Sequence, residues 1–216
     1  MAGRAIWVVI MSKDSRFWDR LAERYSKQPI ADETSYQTKL EKTRAHFRPD
    51  MEVLEFGCGT GSTAITHAPH VAHILATDIS ENMLEIGKSR ALAAGVSNVT
   101  FKQASLDDIE AKPDTYDMVL GLSILHLLDD RDAAISRVHE IVKPGGLFVS
   151  STVCLGDKMW FFKLIAPIGR ALGFLPLLRV FTVKQLVKSI GDAGFQIEET
   201  WQPEKAMSVF VIARKV

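Results

Sequence analysis

The residues of this chain best equipped for chemistry stand close together in Val53-Leu54-Glu55-Phe56-Gly57-Cys58-Gly59-Thr60-Gly61-Ser62, an apolar run that ends in a carboxylate and a glycine-rich turn. Glycine at positions 57, 59 and 61 permits backbone angles and a close ligand approach that a Cβ would obstruct. A helix starting near Ser62 would turn free N–H groups toward whatever binds there. Ile74-Leu75-Ala76-Thr77-Asp78 is a second apolar strand ending in an acid, spaced as the strand whose carboxylate holds the two ribose hydroxyls in a nucleoside-binding α/β sheet. Together the two segments describe a site for a nucleoside cofactor.

The turn departs from a pyrophosphate fingerprint, which needs Gly-x-Gly-x-x-Gly; here glycine falls at the fifth position, Gly61, and the sixth is Ser62. Glu55 points the same way. A carboxylate at the mouth of the turn would repel a phosphate and would suit an ammonium or a sulfonium. S-adenosylmethionine (SAM) carries both cations and no phosphate. With these residues the chain resembles the class I SAM-dependent methyltransferases, whose first motif is similar to Glu55-Phe56-Gly57-Cys58-Gly59-Thr60-Gly61.

The resemblance extends over roughly residues 51–153. Thr77-Asp78-Ile79-Ser80 resembles the second motif, Thr115 to Gly121 the fourth strand, Leu125-His126-Leu127 a frequent Leu-His-His segment, and Val142-Lys143-Pro144-Gly145-Gly146-Leu147 the turn into the fifth strand. It implies a Rossmann-like, doubly wound, seven-stranded and mainly parallel sheet, with SAM as cofactor and S-adenosylhomocysteine as product. It further implies cofactor contacts from Glu55, Gly57, Cys58, Gly59, Gly61 and Leu122, with Asp78 on the ribose and Ile79 or Met83 flanking the adenine. Many relatives place an aspartate near the adenine amino group after the third strand. This chain has Ser105 there, which is expected to act with the Leu106 backbone, with Asp107 as an alternative. The general layout is similar to the ubiquinone and menaquinone methyltransferases, although their specific quinone signatures are not evident.

At 216 residues and 47% apolar content the chain can bury a full core and reads as one domain. Lys plus Arg and Asp plus Glu both number 26, so no overall field favours nucleic acid. An Asn-Pro-Pro-Tyr type motif is also absent after the fourth strand, where Gly121-Leu122-Ser123-Ile124 stands. The two cysteines, Cys58 and Cys154, have neither metal nor redox spacing, which fits a reducing compartment. The apolar run 6–11 is short for a secretory core. The expected location is therefore cytoplasmic, with residues 1–10 read as an upstream extension or a flexible arm.

The elements that must position the site follow from periodicity. Phe17, Trp18, Leu21, Ala22 and Tyr25 recur at helical spacing, which predicts one or two cap helices within 15–48. Strands are expected at 51–56, 70–77, 98–102, 117–121 and 147–153, with helices at 63–67, 81–94 and 131–142 between them. A helical lid insertion should occupy 155–181, split by Pro167 into two short helices. A helix at 182–193 and strands at 195–201 and 208–213 complete the pattern.

His126, just beyond the fourth strand, is the candidate general base should the nucleophile arrive protonated; otherwise it lines or packs the cleft. His67, His70 and His73 straddle Pro69 and read as surface or edge histidines rather than metal ligands. Asp129, Asp130 and Asp132 read as caps of the helix near Arg131, so no metal is expected. For the acceptor, Trp18, Tyr25 and Tyr36 would close one side of the cleft, and Trp160 and Lys163 of the lid the other. The stretch 159–181 is apolar and basic, and reads either as plain cover or as a lid over an apolar acceptor whose Lys163 and Arg170 meet water or membrane phosphate. The expected partner is a small-molecule or lipid-like acceptor, with peripheral membrane contact and no membrane-spanning segment. A phospholipid headgroup N-methyltransferase recruited through Lys163, Arg170 and Arg179 is the rival enzyme; a non-catalytic SAM-binding interaction protein is the rival of another kind.

Overall fold

The computed structural model describes residues 2–203 and 206–216, with side chains from Asp14 onward. The seven strands are β1 (Glu52–Phe56), β2 (His73–Asp78), β3 (Val99–Gln103), β4 (Tyr116–Leu122), β5 (Val142–Val153), β6 (Phe195–Trp201) and β7 (Ser208–Lys215). They form one sheet in the order β3-β2-β1-β4-β5-β7-β6. β7 runs antiparallel between β5 and β6, and the other neighbours pair in parallel. The expected doubly wound, mainly parallel sheet is therefore present. Strand order reverses between β1 and β4, and in such sheets the ligand crevice opens beyond the strand ends at this point.

Helices α3 (Ser62–His67), α4 (Glu81–Ala93), α5 (Arg131–Ile141) and α7 (Val183–Asp192) cover the sheet. Their starts obey local chemistry. Ser80 accepts the Met83 N–H at the head of α4, Asp130 accepts the Ala133 N–H at the head of α5, and Thr182 with Gln185 closes a capping box on α7. One face of the sheet buries Phe56, Val119 and Phe148 with Ile135, Ile141, Leu186 and Ile190 of α5 and α7. The other buries Val53, Met118, Leu120, Val149, Phe210 and Ile212. α5 needs no helix after residue 141, because the strand begins at Val142, five residues earlier than its apolar pattern suggests. Conversely, β2 starts at His73, since 68–70 close a 3-10 turn.

Two cap helices precede the sheet, α1 (Ala2–Ser26) and α2 (Glu33–Arg44). The helix of α1 runs on from Ala2, so residues 2–10 continue the cap helix rather than form a separate arm. The Asp19 carboxylate of α1 accepts the Ser80 hydroxyl at 2.6 Å and the Asn82 N–H at 3.3 Å, docking the cap on the head of α4. Arg90 of α4 donates to the Ser26 carbonyl at 2.6 Å and to the Thr60 and Ser62 hydroxyls, tying the end of α1 to the glycine turn.

The lid departs from expectation. It holds a single ten-residue helix, α6 (Phe162–Ala171), with Pro167 inside it. Tight turns feed this helix, with the Lys163 and Leu164 N–H groups bonded to the Trp160 and Phe161 carbonyls, so the one bond that Pro167 removes does not divide it. Gly169 lets Leu175 fold back against α6, where a Cβ would lie 2.7 Å from Leu175 Cδ1. Among its residues only Ala166 is buried.

Candidate functional site

Beyond the ends of β1, β2 and β4 lies a cleft of about 1140 Å³, walled by the cap, the glycine turn and the loops after β3 and β4. The Gly59 N–H donates to Asp78 Oδ2 at 2.9 Å, and the Ser80 N–H donates to Asp78 Oδ1 at 2.9 Å. Two backbone donors therefore orient the Asp78 carboxylate, and each oxygen keeps a lone pair for a ribose hydroxyl. Burial nevertheless raises its pKa above the ordinary carboxylate value.

The glycines divide the work of the turn. Gly59, at φ +53, faces open space, the nearest atom to an added Cβ being Tyr25 Cε1 at 4.0 Å, so it is the position where a ligand can approach the backbone. Gly61, at φ +70, does not line the cleft; a Cβ there would lie 2.5 Å from Phe101 Cε1. Its smallness serves the packing of α3 against β3 and α4, a correction to reading all three glycines as ligand-facing.

Glu55 is buried at the end of β1. Burial pushes its carboxyl up to about 8, even though the Ala64 N–H of α3 bonds it, and the charge of Asp78 adds to the rise. Glu55 Oε2 has no hydrogen-bond partner. A buried acceptor with nothing to accept from is costly unless a ligand supplies the donor. Glu55 thus caps the helix and also offers a site for an ammonium group.

The complementary cation was not visible in the motifs. Lys39 of α2 reaches into the cleft and donates to the Ser151 hydroxyl at 2.9 Å. Glu55 pairs with Leu120, and Leu120 with Val149; Ser151 lies two residues further on, so Glu55 and Ser151 share one face of the sheet. Burial lowers the Lys39 pKa, and among the described residues no carboxylate lies within ion-pair distance of it. An unpaired carboxyl and an unpaired ammonium on one sheet face suit the amino and carboxylate groups of an α-amino acid. The available signal was Tyr36, Lys39, Leu40 and Thr43, one helical stripe that carries a lysine among inward-facing residues.

Cys58, Ile79, Met83, Ser105, Leu106, Asp107 and Leu122 line the cleft as expected, and so do Trp18, Tyr25 and Tyr36. The Ser105 hydroxyl donates to Asp108 Oδ2 at 2.6 Å, which leaves its lone pairs to accept from an amino group. Trp18 and Tyr25 meet edge to face at 6.4 Å, and Tyr36 Oη lies 3.5 Å from Thr63 Oγ1.

Other expected positions fall elsewhere. The 3-10 turn Leu125–Leu127 puts Leu127 and Leu128 on the cleft wall and turns His126 into the core. Burial pushes His126 down to about 4, and its Nδ1 has no partner. It is placed to pack, not to take a proton from an acceptor. Trp160 is 66% exposed and lies outside the cleft, and Lys163 borders a separate shallow pocket beside Arg179. Only Pro176 and Leu177 of the lid reach the cleft, because the apolar side of α6 turns outward. His67 is fully buried rather than at the surface, edge to face with Phe47 at 4.9 Å and pushed down to about 3 by burial. His73 does sit at the strand edge, bonded to Glu52 and Thr100. Asp130 caps α5, and among the described residues no group of His, Cys, Asp or Glu is arranged to hold a metal.

A glycine turn, a ribose acid one strand over and a zwitterion cradle, all at the reversal point of a 3-2-1-4-5-7-6 sheet, define a SAM-dependent methyltransferase. Comparison with known proteins agrees. Residues 53–146 match the family described as a methyltransferase domain. The chain is 30% identical over 190 residues to a ubiquinone biosynthesis O-methyltransferase of Pseudomonas syringae pv. tomato, covering 85% of this chain and 79% of the relative. It is 28% identical over 177 residues to a demethylmenaquinone methyltransferase of Symbiobacterium thermophilum, covering 77% of this chain and 68% of that one. A SAM-dependent methyltransferase structure from Mesorhizobium loti superposes with a TM-score of 0.70 at 19% identity, covering 85% of this chain and 99% of the other. The chain belongs to the SAM-dependent methyltransferases, and SAM is its cofactor.

Proposed function

We propose that this enzyme methylates a small, partly apolar acceptor of the quinone or lipid kind. The observation that carries the reading is the cleft itself. Its volume of about 1140 Å³ exceeds what one ligand needs, and beyond the cofactor residues it is walled by Trp18, Leu127, Leu128, Pro176 and Leu177. Single-ligand pockets run from about 300 to 1,000 Å³. The quinone-related names of the two relatives support the same acceptor class. Glu55 and Lys39 would hold the methionine end of SAM, Asp78 the ribose, and Ile79, Met83, Ser105 and Leu106 the adenine.

SAM supplies a methyl group on a sulfonium, ready for in-line displacement. The protein's part is to press the acceptor against that methyl, an entropic contribution on the order of 7 to 11 kcal/mol. The buried, low-pKa His126 argues against a histidine base. The test is transfer of labelled methyl from SAM into a host-cell extract, partitioned between organic and aqueous phases. Label in the organic phase is expected; label confined to water-soluble metabolites would remove the apolar acceptor.

We also infer that the enzyme works in the cytoplasm against an anionic membrane surface. α6 and its flanks expose Trp160, Leu164, Ile165, Ile168, Leu172 and Phe174 to solvent, a patch beyond what scattered surface residues produce. Lys158 and Lys163 beside it form no ion pair among the described residues. Arg170 and Arg179, by contrast, are engaged by Asp14 at 3.1 Å and by Asp129, which removes them from the basic rim. Among the described residues no helix is long and apolar enough to cross a membrane. Salt-sensitive binding to phosphatidylglycerol vesicles, lost in a Leu164→Glu, Ile168→Glu variant, is the expected result; equal binding by the variant would refute it.

A further inference from the structure

Ser123 is the first residue past β4, at the point where the sheet reverses, and it holds a conformation that serine rarely adopts, with φ +59. Asp114 is the other described non-glycine residue with positive φ, and there the backbone is held by an ordinary turn whose carboxylate pairs with Lys215. Ser123 has no such use for its side chain. Its hydroxyl lines the cleft and has no hydrogen-bond partner among the described residues.

The backbone around it is held from both sides. The Ser123 N–H donates to the Ser151 carbonyl at 2.6 Å, anchoring it to β5. The next residue, Ile124, fills the space above Gly57, where a Cβ would lie 2.7 Å from Ile124 Cδ1. The end of β4 is thereby locked into the glycine turn, and the serine between these anchors is turned into the cleft. An uncommon backbone angle that the surroundings enforce, beside a ligand cleft, is where strain serves function.

The position of the hydroxyl gives its role. Gly59 and Asp78 place the cofactor over β1 and β2, while Leu122 and Ser123 close the site over β4. A group at the β4 end therefore faces the partner of the cofactor. We propose that the Ser123 hydroxyl binds an oxygen of the methyl acceptor and orients its nucleophilic atom toward the transferred methyl. This deepens the acceptor reading above and rests on it only in that methyl transfer to an oxygen-bearing molecule takes place. A hydroxyl can donate and accept at once, which suits either a hydroxyl or a carbonyl beside the reacting atom.

The experiment compares wild type with Ser123→Gly, Ser123→Ala and Ser123→Asn, using labelled SAM and host-cell extract as the source of acceptor. Glycine and asparagine both accept positive φ, so these two variants keep the backbone, and only asparagine keeps a hydrogen-bonding group. At saturating SAM, S123G and S123A should transfer methyl at least tenfold more slowly, with S-adenosylhomocysteine affinity within twofold of wild type. S123N should recover part of the rate, and S123A alone should also melt at a lower temperature. Equal rates in wild type and S123G would overturn the proposal, as would a loss in S123G that S-adenosylhomocysteine binding shares. The comparison is read in whichever phase the wild type labels, so label in the aqueous phase removes the apolar acceptor and leaves the Ser123 result readable. Label in neither phase overturns both.

Discussion

If Glu55 receives the ammonium of the cofactor, binding must expel a proton. In the empty cleft burial holds this carboxyl at about 8. At pH 7 it is then about 90% protonated. An ammonium within contact distance lowers a carboxyl pKa by about 1 to 3 units, so S-adenosylhomocysteine should release about 0.4 to 0.9 proton per site at pH 7. By the same linkage, affinity should strengthen about 5- to 50-fold from pH 6 to pH 8. The sign is fixed: the bound state prefers the carboxylate, so raising the pH through the empty-cleft pKa favours binding. Isothermal titration at pH 7 in phosphate and in Tris, whose ionisation enthalpies differ, measures the released proton directly. Glu55→Gln should bind more weakly, release no proton and lose the pH dependence. Heats identical in the two buffers for wild type, or the same release from E55Q, would refute the assignment.

Three further outcomes follow from the geometry. Asp78→Ala should weaken cofactor binding by roughly 1.5 to 3 kcal/mol, the usual worth of hydrogen bonds to a charged group, and unchanged affinity by titration would take Asp78 out of the site. Gly61→Ala combines φ +70 with a 2.5 Å approach to the Phe101 ring, so it should cost about 2 to 4 kcal/mol in urea unfolding; a loss under 1 kcal/mol would mean that α3 and Phe101 yield freely. His67 and His126 are held at about 3 and about 4 in the fold, below the 6.5 of an exposed histidine. The unfolded chain therefore takes up protons that the folded chain refuses, and stability should fall as pH drops from 6.5 toward 4, by up to about 1.4 kcal/mol per unit per histidine. His67→Gln should flatten this slope by one histidine's share, and a slope unaltered in H67Q would place the acid sensitivity elsewhere.

The sequence by itself determined the cofactor half of this protein. Strand, glycine turn, helix and ribose acid are contiguous in the chain, so the class, the sheet and the roles available to Gly59 and Asp78 were legible without a structure. Local patterns also placed the caps at Asp130 and Thr182. What lies apart in sequence was decided by tertiary packing. Lys39 and Glu55 meet one cleft only because α2 folds across the end of β5, where Ser151 receives the lysine. The same is true in reverse for His126 and Trp160, whose motif positions suggested the site. A single 3-10 turn rotates the first into the core, and the packing of α6 through Ala166 turns the second outward. Periodicity tells which residues share a face of an element, but which face meets the cleft depends on what the neighbouring elements already fill.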